Sequence, residues 1–219
     1  MNQFKFMRIR TSLFLFVPAI AVAVFALFVS FIQYQPKKIL YNDPNRLEIL
    51  NIVPIFNEDI ILGNLKAPKT IIAFEDLGCA RCQDQMEMFE ELLTKFPDKI
   101  KIILKTLNVT TFPESSAESH QYLFCAYKQN KYKEFKDALF VEKLLDTNSL
   151  KYVSEIIELD AQKLEECLAG AEVANYTQKN EEMAKNLMIE STPTIFVDNK
   201  IIQEPLNITG WETILSLTK

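Results

Sequence analysis

Residues 70–82 read Thr70-Ile71-Ile72-Ala73-Phe74-Glu75-Asp76-Leu77-Gly78-Cys79-Ala80-Arg81-Cys82. The first five are β-branched, small or aromatic, which is the composition of a short buried strand. Gly78-Cys79 then opens a helical pattern. Met86, Phe89, Leu92, Leu93 and Phe96 recur at helical spacing, and Pro97-Asp98 ends the run. Cys79 therefore falls where a strand hands over to the first turn of a helix. Unpaired N–H groups and the positive end of the helix dipole stabilise an anion there. They lower a thiol pKa, and the thiolate is the attacking species. Cys82 lies one helical turn on, so both sulfurs share a face. From there it can resolve a mixed disulfide formed at Cys79. Arg81 adds a positive charge that favours the thiolate, or stands as a solvated surface cation.

Other meanings of a CxxC pair fit less well. A c-type haem site needs His after the second Cys, and Gln83 stands there. A structural zinc site pairs two closely spaced ligand couples. The remaining cysteines, Cys125 and Cys167, are singletons, and His120 is the only histidine. A structural disulfide inside so short a loop strains the bond geometry. The redox dithiol remains, with no metal and no cofactor called for.

Working outward, Ile100 to Leu107 is a second strand candidate. Ser115 to Gln129, Lys131 to Phe140, Ser149 to Glu158, Asp160 to Ala169 and Glu172 to Met188 each carry a helical apolar stripe. Ser191-Thr192-Pro193 breaks the pattern. Thr194 to Val197 and Lys200 to Ile202 read as a hairpin across Asp198-Asn199, and Trp211 to Thr218 as a closing helix. Strand, helix and strand, then a helical block, then hairpin and helix, make an α/β domain with a helical insertion.

The N-terminus has a different character. Thr11 to Pro36 holds no charged residue, and Ser12 to Ile32 is almost wholly apolar. About 20 such residues in a helix cross a hydrocarbon core of roughly 30 Å. Lys5, Arg8 and Arg10 precede the run and Lys37 and Lys38 follow it, a balance that puts the N-terminus inside. A cleaved signal peptide is the alternative, although its apolar region is shorter and ends in small residues. On either reading the domain is exported. The expected organisation is a cytoplasmic N-terminus over 1–10, a transmembrane signal-anchor over 11–33 and a linker over 34–61. The domain then occupies 62–219, with its helical insertion at about 114–188.

Export bears on Cys125 and Cys167, each inside an expected helix. In an oxidising compartment two such cysteines read as a structural disulfide; two inert core thiols are the alternative. Over 219 residues the net charge is −5 with no basic stripe, which argues against nucleic acid as a partner. Only four glycines occur, and neither GxGxxG nor GxxxxGK[ST] is present.

These residues resemble the DsbA-like branch of the thioredoxin superfamily. Leu62-Gly63-Asn64 and Ala67-Pro68 before the first core strand resemble the family's entry, and Asp76, three residues before the first cysteine, also fits. Cys79-Ala80-Arg81-Cys82 matches its active site, and Thr192-Pro193-Thr194-Ile195-Phe196-Val197-Asp198 its Thr-Pro-Thr segment. The resemblance spans Leu62 to the C-terminus. It implies a thioredoxin fold, a cis Pro193 facing the dithiol, and a Thr192 backbone that pairs with extended substrate. From the residues alone Pro193 reads equally as a trans strand-starter. Some extracytoplasmic members carry a second disulfide in the helical insertion, which fits Cys125 with Cys167.

Two departures stand out. Ala80-Arg81 replaces the Pro-His of strong oxidants, and Ala73 occupies the place of the family's buried acid, six residues before the first cysteine. Glu75 or Asp76 could substitute as proton acceptor, with a surface carboxylate as the blander reading. The leading expectation is an extracytoplasmic oxidase that passes its Cys79–Cys82 disulfide to cysteine-containing exported proteins. By the resemblance, a quinone-linked membrane partner reoxidises it. A reductase or isomerase of the same fold is the alternative within this chemistry. A tethered chaperone or metal-binding assembly factor is the alternative outside it.

Overall fold

The computed structural model of the chain describes residues 22–28, 53–203 and 207–217. The chain divides into two units, Met1–Glu48 and Ile49–Lys219. In the first, residues 22–28 form helix α1. Apart from these, the expected N-terminus and anchor lie outside the described residues, as does the linker up to residue 52. Among the described residues no helix is long and apolar enough to cross a membrane.

The second unit is built on a five-stranded sheet. Its strands are β1 (Ile60–Gly63), β2 (Lys69–Glu75), β3 (Ile100–Thr106), β4 (Thr194–Val197) and β5 (Lys200–Ile202), in the order β1-β3-β2-β4-β5. β2 and β3 are parallel, and every other pairing is antiparallel. The parallel pair requires a crossover, supplied by α2 (Ala80–Lys95). Between β3 and β4 the chain runs through α3 (Ala117–Lys128), α4 (Tyr132–Glu142), α5 (Thr147–Ile156), α6 (Ala161–Leu168) and α7 (Ala171–Asn186). A short α8 (Ile208–Ile214) closes the unit.

β2 and β3 are central and covered on both faces, so they read as nearly continuous apolar runs. On one face Ile71, Ala73 and Ile102 pack with Phe89 and Leu92 of α2 and Trp211 of α8. Trp211 is fully buried and meets the Phe89 ring edge-on at 5.5 Å. Deleting a buried aromatic of this size typically costs about 3–5 kcal/mol. On the other face Ile72, Phe74, Ile103 and Phe196 pack with Met183 and Ala184 of α7. The insertion has its own core of Leu123, Phe124, Phe135, Leu150 and Tyr176, which reaches Met86 of α2 and Leu104 of β3. Helix α2 is thus held between sheet and insertion.

Two boundaries differ from the sequence reading. Residues 53–61, expected in the linker, join the fold: Val53 is buried and Ile60 opens β1. The edge strand is fixed by an ion pair with both members fully buried, Lys105 Nζ to Asp59 Oδ2 at 2.7 Å, with the Phe56 ring 4.8 Å from the ammonium. Gly63 ends β1 at φ +86°, a backbone position that disfavours any side chain. The last helix starts before Trp211 because the Asn207 side chain accepts from Gly210 N–H at 2.9 Å and caps it there.

Candidate active site

Cys79 is the N-cap residue of α2, with extended backbone angles and no side-chain cap. Its sulfur is therefore left beside the helix N-terminus, with nothing competing for the first N–H groups. The turn that presents it is fastened by Asp76. That fully buried carboxylate accepts from Gly78 N–H at 3.0 Å, Val109 N–H at 2.8 Å and Thr110 N–H at 2.5 Å. The backbone adds Cys79 N–H to Asp76 O at 3.0 Å. His120, also buried, accepts from Leu77 N–H at 3.3 Å through Nε2, which lies 3.4 Å from Asp76 Oδ1. Burial pushes the Asp76 carboxyl up, but His120, Ser116 and the Gly78 N–H together pull it well below the usual carboxylate range. Gly78 is required by close approach, since a Cβ there would meet the Thr110 side chain at 2.6 Å.

The two thiols differ sharply. Cys79 is half-buried and Cys82 fully buried. The Cys79 thiol is pulled down to about 6, chiefly by the Cys82 thiol donating to its sulfur. Partial burial opposes this, while the Cys82 N–H, Thr192 and the Arg81 N–H add to it. The exposed Arg81 thus reaches the sulfur through its backbone. The Cys82 thiol is driven far above its ordinary value by burial first, then by its bond to Cys79 and the charge of Glu75. Asp76 N–H points at its sulfur from 3.4 Å. One sulfur is therefore half-exposed with its thiol pulled down, and the other is buried with its thiol pushed up.

The Thr192–Pro193 peptide is cis, and it brings the Thr192 carbonyl to 3.6 Å from Cys79 Sγ. Cys125 and Cys167 are joined as a disulfide that links α3 to α6, with an S–S distance of 2.05 Å and Cα atoms 5.8 Å apart. The sequence-predicted residues thus form two groups: Cys79, Arg81, Cys82, Thr192 and Pro193 together at the end of α2, and the Cys125–Cys167 pair in the insertion. Among the described residues no group of three His, Cys, Asp or Glu is placed to hold a metal ion.

The blander reading of Glu75 and Asp76 as surface carboxylates is overturned, because both are 0% exposed. The sequence offers His120 only as a zinc ligand, and its contact with the turn is a tertiary one. For Glu75 strand parity is the signal: Ile71, Ala73 and Glu75 share one face of β2, and the first two are core. A groove of about 210 Å³ opens beside Cys79, walled by Leu77, Thr110, Phe112, Leu139 and Phe140. Phe112 and Leu144 of its lining are 86% and 47% exposed, so apolar side chains stand at its mouth.

The rate of Cys79 alkylation in the reduced protein should rise with pH through a midpoint near 6 and level off above it. An ordinary thiol would instead show a midpoint near about 8.5. Iodoacetamide kinetics between pH 4 and 9 check this.

The profile of the family described as Thioredoxin matches residues 56–216. Among curated proteins, the chain is similar to disulfide bond formation protein D of Bacillus subtilis. The two are 24% identical over 154 residues, which is 65% of this chain and 69% of that protein. Among solved structures, oxidised BdbD from Bacillus subtilis superposes with a TM-score of 0.63 at 18% identity, over 75% of this chain and 94% of that one. The catalytic domain of Proteus mirabilis ScsC gives 0.61 at 19% identity, over 73% and 88%. A thioredoxin-like oxidoreductase from Silicibacter pomeroyi gives 0.64 at 18% identity, over 74% and 92%. At these identities the likeness is one of fold: a thioredoxin-like sheet with the DsbA-type helical insertion. A family match across most of the chain, on this sheet order, makes the protein a member of the thioredoxin family.

Proposed function

We propose that the protein is an extracytoplasmic thiol–disulfide oxidoreductase that forms disulfides in exported proteins. The observation that carries this reading is the asymmetry of the two thiols. Stabilising the Cys79 thiolate stabilises the reduced form, and a disulfide whose reduced form is stabilised is readily given away. A substrate thiolate attacks the Cys79 sulfur of the Cys79–Cys82 disulfide and releases Cys82. The substrate's second thiolate then attacks the mixed disulfide and releases Cys79 as its stable thiolate. Thr192 and cis Pro193 flank the sulfur and align an extended substrate segment. The groove beside Cys79 accepts apolar residues of a chain not yet folded. The relatives it resembles, a disulfide bond formation protein and a thioredoxin-like oxidoreductase, support the same chemistry.

The apolar run from Thr11 onward serves as a membrane anchor in this reading, with the domain outside the cytoplasm. The Cys125–Cys167 disulfide suits such a compartment. A membrane redox partner restores the disulfide after each turnover. The test is the reduction potential of the Cys79–Cys82 pair at equilibrium with glutathione. The oxidase reading expects a potential more oxidising than about −200 mV; one near thioredoxin's, about −270 mV, would show a reductase instead.

A further inference from the structure

His120 is the chain's single histidine, and on α3 it is only 2% exposed. Its Nε2 faces two partners at once, the Leu77 N–H at 3.3 Å and Asp76 Oδ1 at 3.4 Å. An imidazole nitrogen with a lone pair accepts from the first; one with a proton donates to the second. In either state the ring ties α3 of the insertion to the turn that presents Cys79. Burial alone favours an apolar side chain, so a buried polar ring is kept for its partners.

This contact closes a circuit of hydrogen bonds. Thr110 N–H donates to Asp76 Oδ2 at 2.5 Å, Ser116 N–H to Thr110 O at 3.1 Å, and His120 N–H to Ser116 O at 3.2 Å. The Leu77 N–H then returns to the His120 ring, one residue along from Asp76. Ser116 Oγ adds a bond to Asn108 Oδ1 at 2.9 Å, which holds loop 108–110 against the start of α3. The Leu77 side chain belongs to the insertion core with Leu123 and Phe124 of α3.

Both cysteines are seated on this circuit. Asp76 O accepts from Cys79 N–H at 3.0 Å, and Asp76 N–H points at Cys82 Sγ from 3.4 Å. A shift of the 76–78 turn therefore moves the N-cap of α2 and both thiols together. The N–H groups that stabilise a thiolate at a helix N-terminus act over a hydrogen-bond length and weaken steeply with angle. A small displacement of the turn is thus felt at the Cys79 sulfur.

We infer that His120 is a positioning residue of the dithiol: by holding the Leu77 peptide and the Asp76 carboxylate from α3, it fixes Cys79 Sγ beside the N-terminus of α2. This rests on the dithiol reading above and adds to it the residue through which the helical insertion sets the geometry of the redox pair. His120 acts through the turn. Its loss leaves both sulfurs in the chain and takes away the alignment that keeps Cys79 reactive.

The test is the pH profile of Cys79 alkylation in the reduced full chain. In His120→Leu the midpoint should rise from about 6 by about one pH unit, the scale of one lost hydrogen bond. Alkylation at about pH 5 should then slow about tenfold and at about pH 9 keep its wild-type rate, because only the thiolate reacts. His120→Gln, whose amide can accept or donate from the same place, should hold the midpoint near that of wild type. Leu123→Ala controls for stability alone: it removes core packing on α3 and should lower the melting temperature without moving the midpoint. An unchanged midpoint in folded His120→Leu, or an equal rise in His120→Gln or Leu123→Ala, would overturn the assignment while leaving the dithiol reading intact. A wild-type midpoint near about 8.5 would overturn both. Independently of any variant, the Leu77 amide of the wild-type chain should exchange with solvent as slowly as the amides of β2, and rapid exchange there would overturn the assignment.

Discussion

Replacing Cys79 with Ser is expected to reduce thiol–disulfide exchange to the rate of buffer alone. The loss would be larger than for any other single substitution in the chain. Cys79 is the sulfur that is both accessible and ionised near neutral pH; Cys82 is buried and held protonated. A hydroxyl at position 79 neither ionises nor forms a disulfide, so no step of the cycle begins. Cys82→Ala should behave differently. The first attack survives and resolution is lost, so mixed disulfides at Cys79 accumulate. Because the Cys82 thiol is the chief cause of the lowered Cys79 value, that variant should also move the alkylation midpoint from about 6 toward the ordinary thiol value. Exchange assays of the reduced proteins with an oxidised two-cysteine peptide, alongside alkylation kinetics, separate the two roles. Equal losses in both variants with no accumulated adduct would contradict them.

The second large effect is on stability. Cys125 and Cys167 are 42 residues apart, and their bond ties α3, central to the insertion core, to α6, which has no buried residue of its own. Closing a loop of that length is worth about 4 kcal/mol in the chain-entropy account. Cys125→Ala with Cys167→Ala should therefore lower unfolding free energy by about 3–4 kcal/mol. For a domain of this size the melting temperature should fall by roughly 10 °C. The bond joins neither Cys79 nor Cys82, so exchange at Cys79 should continue at its normal rate below the transition. Denaturant titration of both proteins with Cys79 and Cys82 in the same redox state provides the comparison. A loss below about 1 kcal/mol, the range of ordinary substitutions, would mean that packing alone holds α6.

Much of this architecture is written in local pattern. Thr70–Phe74 and Ile100–Leu107 announce themselves by composition, and the helices of the insertion by their apolar stripes. Placing Cys79 at a strand-to-helix junction needed nothing beyond neighbouring residues. Local signals fail where the stabilising partner is distant. β1 is four residues long, and its identity comes from pairing with β3, about forty residues away, and from the Asp59–Lys105 ion pair. Asp76 looks like a surface residue until loop 108–110 closes over it with its N–H groups. Glu75 is fully buried at the end of β2, a tertiary fact at which strand parity only hints. His120 stands 43 residues from the N–H it accepts, and no periodicity links them.

The central claim is that Cys79 is the nucleophile and Cys82 the resolving partner of a redox dithiol. The most direct test incubates Cys82→Ala protein, prepared with the Cys125–Cys167 bond intact, with an oxidised peptide, followed by mass spectrometry of the non-reduced digest. The account predicts one peptide bonded through Cys79, stable until a reductant is added, and none on wild-type protein, where Cys82 displaces it. No adduct on the variant, or an adduct carried by Cys125 or Cys167 instead, would contradict it.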